Sequence, residues 1–172
     1  FIHRPDPEKP FRPNYLLDDH IAILTLFPGM REEVMNAYLD IPNLRGLVLK
    51  TYGAGNAPKL PWLYERLKTL SDRGVVIINT TQCATGAVDM GRYDTSLQLI
   101  QAGVLNGHDM TLEAVVTKLM FLLGHNYDNQ RICQLMNTSL VGEVTLPFAP
   151  QTDDEACLQR GQTAKARRIC AD

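Results

Sequence analysis

Apolar residues in this chain fall into short unbroken runs, separated by stretches of helical spacing. His20 to Phe27 (His-Ile-Ala-Ile-Leu-Thr-Leu-Phe) is the first run, stopped by Pro28-Gly29. Gly46 to Thr51 is the second, and Val75 to Ile78 the third. Unbroken runs of this kind predict strands buried on both faces. Val34, Met35, Tyr38 and Leu39 share one face of a helix between the first two runs. Pro61 suits the first turn of the next helix, Leu63, Leu67 and Leu70 form its stripe, and Gly74 ends it. A third helix turns Leu97 and Ile100 inward and ends at Gly103, before a short fourth strand at Val104 and Leu105. Leu112, Val115, Val116, Leu119, Met120 and Leu123 then give a helical stripe up to Gly124, and a last helix covers Gln130 to Met136.

Buried strands alternating with helices predict an α/β fold. The expected form is a Rossmann-like three-layer domain over residues 20–146, with a parallel sheet of about four strands. Residues 1–19 hold Pro5, Pro7, Pro10 and Pro13, so they read as an extended interdomain linker. The pattern decays from Pro147, and residues 147–172 read as a tail, either a frayed helix or disordered.

Composition narrows the class. The chain has 172 residues, 45% hydrophobic and 21% charged, which fits an ordinary globular domain. A formal net charge of −2 argues against nucleic acid or an anionic membrane surface as partner. No apolar run approaches the ~20 residues of a membrane span. Phe1-Ile2-His3-Arg4-Pro5 is neither an initiator methionine nor a signal peptide, so the expectation is a piece of a longer protein. Cys83, Cys133, Cys157 and Cys170 show no metal-ligand spacing, so no metal is expected. Free thiols are expected for an intracellular domain of this size. No cofactor motif is complete, and no cofactor is expected.

Ligands of open parallel sheets bind beyond the carboxyl ends of the strands. That rule selects Phe27 to Gly29, Lys50 to Asn56, Thr80 to Tyr93, and Gly107 to Asp109. The connection Thr80 to Tyr93 is long for a strand-to-helix link, and such loops are commonly functional. Helix N-termini converge on the same rim and suit a carboxylate or phosphate. Each signal has two readings. Gly53-x-Gly55 opens a dinucleotide fingerprint or makes a tight turn. Asn56 binds a ligand or occupies a left-handed turn position. Cys83 is a nucleophile or a small hydrophobe. His108 and Asp109 form an acid–base pair, or Asp109 or Thr111 caps the following helix. Lys50, at the end of a buried strand, holds an anion or a structural ion pair.

Leu47 through Pro58 (Leu-Val-Leu-Lys-Thr-Tyr-Gly-Ala-Gly-Asn-Ala-Pro) resembles a signature segment of the asparaginase family. Thr81 through Tyr93 resembles its cytosolic type I branch. The block from Ala102 to Ala114, with Thr117-Lys118-Leu119, continues that pattern, and Gly142-Glu143 with Thr145 approximates the closing motif. The resemblance implies the smaller, C-terminal domain of a cytoplasmic L-asparaginase, which hydrolyses L-asparagine to L-aspartate and ammonia. It implies that the catalytic threonines lie in an N-terminal domain absent from this sequence, and that the enzyme is a homo-oligomer, a dimer or a tetramer. Asn56 then matches the asparagine that reaches a neighbouring subunit's active site. Lys50, Thr81, Cys83 and His108 match an effector site of some bacterial members. Those members carry arginine where Lys50 stands, and lysine cannot make the same bidentate fork. The competing expectation is a non-catalytic module that binds a small amino acid or mediates dimerisation.

Overall fold

A computed structural model describes residues 8, 10, 13–91 and 94–146. Four parallel strands form one sheet in sequence order: β1 (Ile21–Thr25), β2 (Gly46–Thr51), β3 (Val76–Thr81) and β4 (Leu105–Asn106). Helices α1 (Glu32–Leu39), α2 (Pro61–Asp72) and α3 (Asp94–Gln101) connect them, and α4 (Leu112–Gly124) and α5 (Asn129–Met136) follow. The expected three-layer α/β architecture is the observed one.

Two cores separate the layers. Leu47, Leu49 and Ile77 face α1, α2 and α3, where they meet Met35, Leu39, Leu63, Leu67 and Leu99. Val48, Val76 and Ile78 face the other way, onto Val115, Leu119, Leu122 and Ile132 of α4 and α5. Successive β–α–β crossovers of one hand place α1 to α3 on one face. The opposite face is left to the two helices after β4. Gly46 lets α4 lie close to the sheet, because a Cβ there would stand 2.8 Å from Leu119 Cδ2.

Several boundaries differ from expectation. The first strand is shorter, Ile21–Thr25, although Leu26 N–H still bonds to the Lys50 carbonyl at 3.0 Å. The third starts at Val76 and runs on through Asn79, Thr80 and Thr81, because their backbones continue the ladder with β2. The fourth is Leu105–Asn106, and the last helix starts at Asn129. In α3 the inward residues are Thr95, Ser96 and Leu99, while Leu97 is exposed and Ile100 only half-buried. Leu97 sits two residues from both Thr95 and Leu99, which turns it roughly 200° around the helix. Tyr38 likewise lies at the exposed edge of the α1 stripe.

The C-terminal part of the stretch read as linker packs on α4. Asp18 N–H bonds to the Met120 carbonyl at 3.0 Å, and the Asp18 carboxylate pairs with Arg45. The expected tail, 147–172, lies outside the described residues. No helix among the described residues is long and apolar enough to cross a membrane.

Candidate functional site at the carboxyl ends of the strands

The segment after β2 folds back on itself at once. Tyr52 and Asn56 pair as an antiparallel bridge, with N–H to carbonyl bonds of 2.8 Å in both directions. Such a tight return needs left-handed backbone, and Gly53 (φ 49°) and Gly55 (φ 105°) supply it. Asn56 is therefore not the left-handed residue, and the two glycines serve a turn.

The turn is clamped from several sides. Asn79 is fully buried at the end of β3, and its Nδ2 donates to the Gly55 carbonyl at 3.1 Å. Its Oδ1 accepts from Thr51 Oγ1 at 2.7 Å, so both ends of the buried amide are satisfied. From the long loop, Asp89 N–H donates to the Ala54 carbonyl at 2.9 Å. A side chain at Gly55 would meet Val88 at 2.6 Å, so the turn and the loop are packed without space between them. Asn56 rides on this support, half-buried. Its Oδ1 accepts from the buried hydroxyl of Thr95 at 3.1 Å, in the first turn of α3.

The remaining candidates divide into two groups. Thr81 Oγ1 donates to the Gly53 carbonyl and accepts from Cys83 N–H, and the Cys83 sulfur lies 4.0 Å from the same carbonyl. Thr81 and Cys83 thus meet at the turn. Lys50 leaves β2 on the other face, in step with Val48 rather than Leu49. There its charge acts on Glu113 of α4. That carboxyl is held below its usual value first by its own backbone N–H, then by the Thr111 hydroxyl, and also by Lys50. His108 takes left-handed backbone (φ 53°) and brings Nε2 to 3.2 Å from Asn137 Oδ1 at the end of α5. Its carbonyl accepts from Val88 N–H at 2.9 Å, which ties the long loop to the end of β4.

His108 and Asp109 each take another hydrogen-bond partner, and between them only a minor charge interaction lowers the Asp109 carboxyl. Asp109 accepts from Thr145 N–H at 2.8 Å, and the bonding to Thr145 is the leading reason that its carboxyl titrates lower than usual. Thr111 is the N-cap of α4, accepting from Ala114 N–H at 3.2 Å. Cys83 is exposed and Cys133 buried, while Cys157 and Cys170 lie outside the described residues.

Sequence reasoning overlooked Asn79 and Thr95, and took Gln82 only as one residue of the long loop. For Asn79 the sequence offers one signal, a polar residue directly after the apolar run Val75 to Ile78, and does not show that the strand continues through it. Gln82 Nε2 donates to the carbonyls of Leu26 at 2.6 Å and Lys50 at 3.0 Å, joining the ends of β1 and β2. Thr95 had no local signal, because its partner lies 39 residues away.

A turn-mounted amide at the carboxyl rim of a parallel sheet, backed by a long structured loop, marks an α/β domain with its polar loops gathered at the strand ends. Residues 20–136 match the model of the Glutaminase/Asparaginase C-terminal domain, and the chain belongs to that family. It is 42% identical over 125 residues to L-asparaginase 1 of Escherichia coli, covering 73% of this chain and 37% of that protein. It is 37% identical over 134 residues to the 60 kDa lysophospholipase of Homo sapiens, covering 76% of this chain and 23% of that protein. The crystal structure of L-asparaginase I from Vibrio cholerae superposes with a TM-score of 0.75 at 41% identity, over 81% of this chain and 42% of that one. The chain therefore spans well under half the length of each of these proteins.

Proposed function

We propose that this chain is the C-terminal domain of a cytoplasmic L-asparaginase, which converts L-asparagine and water to L-aspartate and ammonia. The observation that carries the reading is the Asn56 turn. A likeness of 42% to an L-asparaginase runs through the region that holds it, and the turn is fixed by Asn79, Asp89 and Thr95 as a positioning group should be. Asn56 contributes to the active site of a neighbouring subunit in a homo-oligomer, where it orients substrate or a catalytic hydroxyl. The nucleophilic threonine comes from an N-terminal domain outside this sequence.

Lys50, Thr81, Cys83 and His108 are the proposed effector-binding positions. Lys50 and the N-terminus of α4 supply positive potential on one side of the strand ends. Thr81 and Cys83 supply polar groups at the turn, so an amino-acid effector would bridge the two groups.

Ammonia release from L-asparagine tests the main reading, with L-glutamine assayed in parallel. The expected result is turnover by the full-length protein and none by residues 1–172 alone. Turnover by this chain alone would overturn the placement of the nucleophile. Inert full-length protein would overturn the activity.

A further inference from the structure

We infer that Thr95 is a positioning residue that fixes Asn56 as a hydrogen-bond donor toward the neighbouring subunit. The inference rests on the proposed role of Asn56 and adds to it the direction of the amide. An asparagine side chain ends in a broad, nearly two-fold rotor, so its carbonyl and amino ends exchange places at little cost. A partner that donates to the carbonyl end removes that freedom, and Thr95 is placed to do so. Its hydroxyl is buried in the first turn of α3 and donates to Asn56 Oδ1 at 3.1 Å.

The backbone of Asn56 is already held by its pairing with Tyr52, and the turn by Asn79 and Asp89. The remaining freedom is rotation of the amide, and Thr95 fixes it. With Oδ1 turned toward α3, the Nδ2 amino group is directed away from it. The group that Asn56 meets across the subunit boundary is therefore an acceptor oxygen, belonging to a carboxylate, a carbonyl or a hydroxyl. An isolated asparagine could have served a donor or an acceptor equally well.

The test is steady-state kinetics on full-length protein carrying Asn56→Ala, Asn56→Asp, Thr95→Val, Thr95→Ser, and the double variant Asn56→Ala/Thr95→Val, each with a thermal melt. Asn56→Ala should lower kcat/KM roughly tenfold to a hundredfold. Thr95→Val keeps the side-chain shape and loses the hydroxyl, so kcat/KM should fall roughly three- to tenfold. Thr95→Ser should restore it. The double variant should be no slower than Asn56→Ala, because Thr95 acts only through Asn56. Losses that multiply in the double variant would make Thr95 merely structural and overturn the inference. So would an unimpaired Thr95→Val beside an impaired Asn56→Ala. An unimpaired Asn56→Ala would instead overturn the underlying reading of Asn56. If Thr95→Val does not fold, Asn56→Asp decides: it keeps an oxygen for Thr95 but has no N–H to offer. A rate like that of Asn56→Ala supports the inference, and a wild-type rate overturns it.

Discussion

Asn56 is held by a backbone bridge and two positive-φ glycines, neither of which depends on its side chain, while the Thr95 hydroxyl bonds to that side chain. Asn56→Ala in the full-length protein should therefore raise the barrier to turnover by about 1–3 kcal/mol. It should impair turnover more than folding, because the only described bond that the substitution removes is the one from the Thr95 hydroxyl. Loss of stability with unchanged turnover would make Asn56 only a turn residue. Lys50 is a different case. It stands on the α4 face, apart from Thr81 and Cys83, and its electrostatic partner is Glu113. If it holds an effector carboxylate, rate against L-asparagine concentration in the full-length protein should be sigmoidal, and Lys50→Ala should make it hyperbolic. Hyperbolic curves from both would leave Lys50 as a structural cation. In this chain alone, affinity for L-asparagine at these positions should be millimolar or weaker, about −4 kcal/mol, since an open rim leaves the ligand partly hydrated. Titration calorimetry measures it.

Among the elements, α4 carries the largest electrostatic commitment. Lys118 is buried in its middle, beside Glu143 at 2.6 Å. Its Nζ also donates to the carbonyls of Met136 at 3.2 Å and Thr138 at 2.7 Å, at the end of α5 and just beyond it. Glu143 accepts in turn from Leu140 N–H at 3.0 Å and Val141 N–H at 2.7 Å. One buried ion pair thus ties the segment after α5 back onto α4. Removing one partner strands the other charge, so Lys118→Met should cost about 3–5 kcal/mol in urea unfolding. The pair also predicts an acid limb. Burial alone would push the Glu143 carboxyl up. The Lys118 ammonium and the two N–H groups outweigh it and hold the carboxyl at about 2, against 4.5 for a free glutamate. A depressed folded value means that the unfolded chain takes up the proton first as pH falls. The stabilisation, on the order of 3 kcal/mol, is complete above pH 4.5 and declines below it. It is lost once pH passes about 2. Urea midpoints measured down this range should fall in the parent and fall less steeply in Lys118→Met. Equal slopes would remove Glu143 from the acid transition.

At the scale of the whole molecule, the described residues cover the sheet unequally. Among them three helices pack on one face and two on the other, and Ile23 of edge strand β1 is 38% exposed. Phe27, just beyond that strand, is 51% exposed. The two cores nevertheless share every central strand, since Leu47 and Leu49 of β2 point into one while Val48 points into the other. A core shared through the sheet cannot melt by halves. This chain alone should unfold in one calorimetric transition, with van't Hoff and calorimetric enthalpies equal. Two separated transitions would show that the α4–α5 layer, fastened by Lys118 and Glu143, folds apart from the rest.

The sequence by itself determined the α/β class, the strand and helix order, and the parallel sheet. Those follow from local periodicity, which a buried strand or an amphipathic helix must display whatever its neighbours are. It also marked Asn56 and the loops at the strand ends, since glycines and polar residues after an apolar run stand out locally. Only the tertiary structure decided that β3 continues through Asn79 to Thr81, because polar residues in a strand are admitted by partners that lie elsewhere in the chain. It turned Thr95 and Leu99, rather than Leu97, inward on α3, since the larger hydrophobe is not always the one that faces the core. It gave His108 and Asp109 each a distant hydrogen-bond partner, leaving only a minor charge interaction between them. It also joined Thr95 to Asn56 and Lys118 to Glu143, two pairings that no spacing along the chain encodes, because a hydrogen bond or an ion pair depends on distance in space and not on position in sequence.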